Sequence, residues 1–231
     1  MIGIICAMEK EVVHLTPYLN NPKEHHIGAL TYVTGTLSGK EVVIAKCGIG
    51  KVNAAICAQT MCLTFHPTLI INTGVAGATS PDLTVYDAVI ATALVEHDMD
   101  TTPFGDPAGL LNLGEENLVE IPVEESLYKA LRTVAQGVGL HAECGVVASG
   151  DQFISSYEQK QRIQALFGAV ACEMEGAAIA HTCYMARVPF CVLRVISDSA
   201  DGKAEVEYST FVNVAAAKSA EVVETFLSVL P

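Results

Sequence analysis

Apolar residues in this chain gather into short unbroken runs separated by stretches of helical period, a pattern that predicts strands interleaved with helices. Residues 1–6 form an apolar run of strand length, and a short helix over 8–15 is stopped near Pro17. Residues 26–37 and 41–47 read as two strands paired across the Ser38-Gly39 turn. A helix rich in Ala and Cys is predicted over 50–65, then a buried strand over 68–72 that ends in Thr73-Gly74. Residues 87–95 make another strand, and the polar stretch from His97 to about Glu116, with its Pro and Gly, reads as a loop. The remaining elements are a helix over 124–136, a strand over 142–149, a helix over 157–166, a short strand over 170–172, an Ala-rich helix over 174–187, a strand over 189–197 and a helix over roughly 208–230. This alternation implies an α/β fold with a mixed, mostly parallel central sheet flanked by helices. In such folds ligands sit beyond the carboxyl ends of the strands.

Composition bounds the picture. The chain has 231 residues, 51% of them hydrophobic, enough for a large core, and no linker, repeat or low-complexity tract interrupts it. One domain over 1–231 is therefore expected. The opening apolar run is short, is followed by Glu9, Lys10 and Glu11, and has no basic segment before it. Neither a signal peptide nor a membrane span is expected, and a cytoplasmic location follows. The eight cysteines form no CxxC pair and sit mostly in apolar runs, which favours buried free thiols over disulfides or zinc. A net charge of −13 argues against nucleic acid as a partner.

Charged residues stand out where the strands end. Glu11 lies on an apolar helix stripe with Met8, Val12 and Leu15, either as a carboxylate favoured by the helix N-terminus or as part of a site. The segment Asn72-Thr73-Gly74-Val75-Ala76-Gly77 has glycines that make a turn or let a ligand approach the backbone. Cys172-Glu173-Met174-Glu175-Gly176 opens a helix directly after a strand, with Glu175 facing small apolar residues. Arg194 lies in the middle of an apolar strand and must find carboxylates, for which Glu11 and Glu175 are the natural candidates. Asp198 stands where that strand runs out, after Ser197. Three acids and an arginine at one sheet edge make a candidate site. Other motifs fail: Gly48-Ile49-Gly50-Lys51-Val52 lacks the first glycine and the Ser or Thr of a P-loop, and His97-Asp98 has no second histidine at metal-ligand spacing.

Taken in order, these segments and Ser149-Gly150-Asp151-Gln152-Phe153-Ile154 resemble the bacterial 5′-methylthioadenosine/S-adenosylhomocysteine nucleosidases of the purine nucleoside phosphorylase superfamily. The resemblance covers essentially the whole chain and implies a nucleoside phosphorylase-like fold. It implies Asp198 as the general acid at N7 of adenine and Glu11 as the base that activates water. Glu175 would grip the ribose hydroxyls with Met174 beneath the sugar, Phe153 would stack on the purine, and the backbone of Ile154 would read its edge. Met8, Ile49, Ala76, Gly77, Glu173 and Ser197 would complete the substrate site, Arg194 its charge network, and Tyr208 would cover the 5′-substituent. Phe104 would reach across a homodimer interface into the neighbouring site. No metal or cofactor is implied.

Phosphorolysis is the alternative within the same fold. Relatives that use phosphate clamp it with arginines early in the chain, whereas the first arginine here is Arg132; Lys51 or a backbone nest remains open as a phosphate site. Two departures from the family bear on substrate choice. Val75 replaces a common serine, and the loop over 103–113 looks short and lacks the usual tyrosine-bearing stretch. An aminodeoxyfutalosine or 5′-deoxyadenosine preference stays open, as does a non-catalytic nucleoside-binding protein.

Overall fold

A computed structural model describes residues 1–230. In chain order it contains β1 (Ile2–Cys6), α1 (Glu9–Val12), β2 (Asn20–Ile27), β3 (Leu30–Leu37), β4 (Lys40–Lys46), α2 (Lys51–Phe65), β5 (Leu69–Ala78) and β6 (Ala88–Glu96). There follow β7 (Leu111–Leu113), β8 (Glu116–Leu118), β9 (Ile121–Pro122), α3 (Glu125–Gly137), β10 (Ala142–Ser149), α4 (Tyr157–Phe167), β11 (Ala171–Glu173), α5 (Gly176–Ala186), β12 (Phe190–Asp198) and α6 (Ala204–Val229). The main sheet runs β11-β10-β6-β12-β5-β1-β4-β3-β2, with β9 beside β6. It is mixed: β4, β1, β5 and β12 pair in parallel, as do β6, β10 and β11, while β12 meets β6 antiparallel. Because β11 also pairs with β5, five strands close on themselves around one end of the molecule. Closure of this kind leaves no free edge among these five strands and gathers several strand ends around one opening, while β2 remains an edge.

The expected α/β architecture with a mixed central sheet flanked by helices is present, and the departures are local. The first helix spans only Glu9–Val12 and is followed by a 3-10 turn at Thr16–Tyr18, which carries Pro17 in its first turn, where its missing amide hydrogen costs nothing. Residues 26–37 are not one strand: Gly28, at φ +59, turns the chain between β2 and β3. The polar residues of β2 gave no apolar signal, since this edge strand is largely exposed. The region read as a loop contains a 3-10 turn at Thr102–Phe104 and the β7–β8 hairpin. Helix α5 starts at Gly176, two residues late, and α6 starts at Ala204, four residues early.

The largest difference is β5, which continues through the glycines to Ala78 with all ten residues buried. Its side chains alternate between two environments, as a strand requires. Asn72 meets Arg194, while the hydroxyl of Thr73 shares a hydrogen bond of 2.6 Å with Ser219 of α6. Small residues let α5 lie close to the sheet: Gly176, Ala177, Ala178 and Ala180 are all buried. The eight cysteines are free and seven are buried, so they act as small apolar core residues. Among the described residues no helix is long and apolar enough to cross a membrane.

Candidate active site

The sheet aligns the carboxyl ends of β1, β5, β11 and β12 around a pocket of about 370 Å³. Fourteen of the fifteen residues singled out from the sequence line it, the exception being Phe104. Phe104 lies on the 102–104 turn, 87% exposed, and its own chain does not bring it to the pocket. Ala7, Val75, Gln152 and Cys172 also line the pocket but were not assigned a contact from the sequence. Val75 was noted only as a replaced serine, and nothing in the types of the other three marks them; only the convergence of β1, β5, β11 and the 150–154 segment does.

Glu11 reaches backwards from α1. One carboxylate oxygen accepts the amides of Ala7 at 2.8 Å and Met8 at 3.0 Å, and the other accepts Val75 N–H at 3.1 Å. It is thus both the helix-terminal carboxylate of the modest reading and a pocket residue. Strand β1 pairs with β5 only as far as Asn72, which leaves the Val75 amide free to meet Glu11. Burial raises the Glu11 pKa above the ordinary carboxylate range, against the opposing pull of Arg194 and the three amides.

The glycines of β5 make room for both acids, correcting the idea that they form a turn. A Cβ on Gly74 would collide with Glu11 Oε1 and lie 2.7 Å from Arg194 Nη1. A Cβ on Gly77 would lie 2.7 Å from Asp198 Oδ1. Neither glycine has positive φ, so close approach, not backbone freedom, requires them.

Arg194 pairs with one of the two expected carboxylates, Glu175, only at longer range, and more closely with Glu173, which was not expected. Its Nη2 binds Glu173 and, at 2.6 Å, Asn72 Oδ1, while Glu175 lies farther off at 3.8 Å and no direct pair with Glu11 forms. Glu173 also accepts the Ser149 hydroxyl and the amides of Glu175 and Gly176. So many donors offset the cost of burying both charges. They leave Glu173 as the structural anchor of the α5 start, and Glu175 as the carboxylate free to serve the pocket. Glu175 Oε1 accepts Gly50 N–H at 2.9 Å. Burial and then the neighbouring Glu173 push the Glu175 pKa up to about 7, with Arg194 pulling the other way.

Asp198 ends β12 after an irregularity in its pairing with β5: Ile196 faces Ala76, Asp198 faces Gly77, and Ser197 is the extra residue. The Ser197 hydroxyl donates to Asp198 Oδ2 at 2.9 Å and the Ala200 amide to Oδ1 at 3.0 Å. Burial raises the Asp198 pKa in spite of these two bonds, and Glu207 and Asp201 add to the effect. Both acids are therefore raised, and their surroundings, not a split in pKa, tell them apart. Glu11 has three amides and a guanidinium that favour its charge; Asp198 has two donors and two neighbouring carboxylates. Apolar and aromatic groups complete the pocket. The Tyr208 hydroxyl contacts Met8 Sδ at 3.0 Å, and its ring meets Phe153 edge-on at 5.7 Å between centroids. Phe153 is 44% exposed beside the buried Ile154, a face open to stacking.

The chain matches the family model described as the phosphorylase superfamily over residues 1–228. It is 42% identical, over the full length of both chains, to the 5′-methylthioadenosine/S-adenosylhomocysteine nucleosidase of Staphylococcus haemolyticus. The Neisseria meningitidis nucleosidase of the same name, solved with methylthio-immucillin-A, superposes with a TM-score of 0.94 at 37% identity, covering 99% of each chain. The futalosine hydrolase of Helicobacter pylori gives a TM-score of 0.94 at 35% identity, covering 99% of this chain and 97% of that one.

Proposed function

This chain belongs to the phosphorylase superfamily, and we propose that in it Asp198 and Glu11 are the acid and base that cut the N-glycosidic bond of a 5′-substituted adenine nucleoside. It is an N-ribosyl hydrolase, releasing adenine from 5′-methylthioadenosine and S-adenosylhomocysteine. Breaking the bond leaves charge on a poor leaving group and an oxocarbenium-like sugar. Asp198 gives its proton to N7 of the base as the bond lengthens. Glu11 orients a water and takes its proton as it attacks C1′, and Arg194 steadies the carboxylates around it. Glu175 holds the ribose hydroxyls over Met174, Phe153 stacks on the purine and the Ile154 backbone reads its edge. Met8, Ile49, Ala76, Gly77 and Tyr208 enclose the remainder. Protons and water suffice for this reaction, so no step calls for a metal or cofactor.

The observation that carries this assignment is the seating of both acids against one strand, Glu11 at Gly74 and Asp198 at Gly77, in a pocket that also holds Glu175 and Arg194 beside apolar and aromatic groups. Lys51, the residue left open as a phosphate ligand, is engaged elsewhere: its ammonium lies 2.7 Å from Glu96 and 2.6 Å from Asp98. That favours water over phosphate as the nucleophile. The chain would work as a single nucleosidase domain over 1–231. It would form a homodimer in which Phe104 of the partner subunit covers the 5′ end, consistent with its exposure and with the exposed Val52 and Ile56 on α2. A cytoplasmic location and a part in methionine salvage go with this reading.

Incubating the protein with a panel of 5′-substituted adenosines and aminodeoxyfutalosine, with and without phosphate, tests it. Free adenine and a free sugar are expected at a rate independent of phosphate. Strict phosphate dependence with a ribose-1-phosphate product would make the chain a phosphorylase. The aminodeoxyfutalosine arm is included because the H. pylori futalosine hydrolase superposes as well as the nucleosidase does.

A further inference from the structure

The Gly50-Lys51 pair lies outside the acid–base chemistry yet touches it at one point. Lys51 opens α2, and its Nζ bridges Glu96 Oε2 and Asp98 Oδ1 at the end of β6. The other oxygen of Glu96 meets His181 Nδ1 of α5 at 3.1 Å. Asp98 Oδ2 accepts the Asp151 amide at 2.8 Å, and Asp151 Oδ1 accepts the Lys51 amide at 2.7 Å. The circuit therefore joins the start of α2, the end of β6, the segment leading into Phe153, and α5. One residue before Lys51, Gly50 at φ +98 turns its N–H onto Glu175. Burial works against the Lys51 charge, but the bonds to Asp98 and Glu96 outweigh it and hold the ammonium above its usual range. Burial likewise opposes the charges of Glu96 and Asp98, yet their bonded partners keep both carboxyls below the usual range. Charge-assisted bonds this short favour one fixed geometry.

We propose that Lys51 is a positioning residue: by pinning the start of α2 to Glu96 and Asp98, it keeps the Gly50 amide on Glu175 and the 151–154 segment at a set distance from the sugar anchor. The inference rests on the reading of Glu175 as the residue that grips the ribose. Around Glu175 stand Glu173 of β11 and Glu11 of α1, which disfavour its charge, and Arg194 of β12, which favours it. The Cys47 thiol and the Tyr208 phenol flank the same group. Gly50 supplies the hydrogen bond that favours the ionised form. Losing it would raise the Glu175 pKa and weaken ribose binding together, whereas the chemistry at Asp198 and Glu11 would be nearly untouched.

Steady-state kinetics of Lys51→Met, Lys51→Arg and Asp98→Asn on 5′-methylthioadenosine, from pH 5.5 to 9, distinguish this role from plain scaffolding. For Lys51→Met, KM is expected to rise about tenfold while kcat changes less than about threefold, the signature of lost ground-state binding. The acid limb of kcat/KM should move up by about half a pH unit or more, because that limb reports groups of the free enzyme. Lys51→Arg keeps the charge and should restore most of both. If KM and the acid limb stay at wild-type values in Lys51→Met, whatever its melting temperature, the role is overturned. Should Lys51→Met not fold, Asp98→Asn decides: its acid limb moves up if Lys51 positions Glu175, and stays if it does not. A wild-type KM in Glu175→Gln would instead sink the ribose-anchor reading itself.

Discussion

Asp198→Asn is expected to lower kcat by about 10²–10⁴-fold, the usual contribution of a positioned general acid. That corresponds to about 3–5 kcal/mol of barrier. Asparagine keeps the size of the side chain; its Oδ1 can still accept the Ala200 amide while its Nδ2 donates to the Ser197 hydroxyl oxygen, so the 199–203 loop should hold its place. Its amide can donate a hydrogen bond toward N7 but cannot surrender the proton. Binding of an unreactive adenine-nucleoside analogue should therefore stay within about tenfold of wild type while turnover collapses, which is what loss of an interaction made only in the transition state looks like. In the wild-type enzyme kcat should decline as rising pH strips the proton from Asp198, whose pKa burial raises. Titration calorimetry with the analogue beside single-turnover kinetics measures both. Near-wild-type turnover in the variant would show that another group protonates the base.

Gly74→Ala, the addition of one methyl group, is expected to be nearly as damaging. The new Cβ would collide with Glu11 and press on Arg194 from 2.7 Å. Neither can yield cheaply, because Glu11 is held by three amides and Arg194 by Asn72 and Glu173. Overpacking of this kind costs about 1–3 kcal/mol, and disturbing a buried charge pair adds to it. Each kcal/mol lowers the melting temperature of a chain this size by about 2–4 °C. We expect kcat/KM to fall at least about a hundredfold, since 1.36 kcal/mol is tenfold in rate, together with a visible drop in melting temperature. Val75→Ser, one position on, adds no bulk to that face and serves as a control. A Gly74→Ala enzyme of unchanged kcat/KM would mean that Glu11 does not need its observed seat.

Much of this was legible in the sequence because its signals are local. Period and turn chemistry located the sheet-forming runs, and the order of the acid- and glycine-bearing segments pointed to the pocket. The failures have physical causes. Strand β2 is exposed and polar, so no apolar alternation marks it. Glycines normally read as turn formers, and only the approach of Glu11 and Asp198 from distant segments shows why β5 runs straight through Gly74 and Gly77. Arg194 announced that it needed a carboxylate, but Glu173 and Glu175 are neighbours in sequence. Which of them turns inward depends on the start of α5, where Glu173 also takes two backbone amides. The Lys51 circuit joins residues 45 to 100 positions apart, beyond the reach of any spacing rule.

The two glycines of β5 also bear on the sugar that leaves the enzyme. They are three residues apart in an extended strand, so their Cβ directions point to opposite faces. Glu11 meets one face and Asp198 the other. With C1′ seated between the two acids, as the proposed roles require, a water activated by Glu11 would reach it from the side away from the departing base. The β-nucleoside should yield its sugar first as the α-anomer, with inversion of configuration and no covalent glycosyl-enzyme. Proton NMR of the product, recorded before mutarotation equilibrates it, reads the anomer directly; β-anomer formed first would place water and base on the same side of the ring.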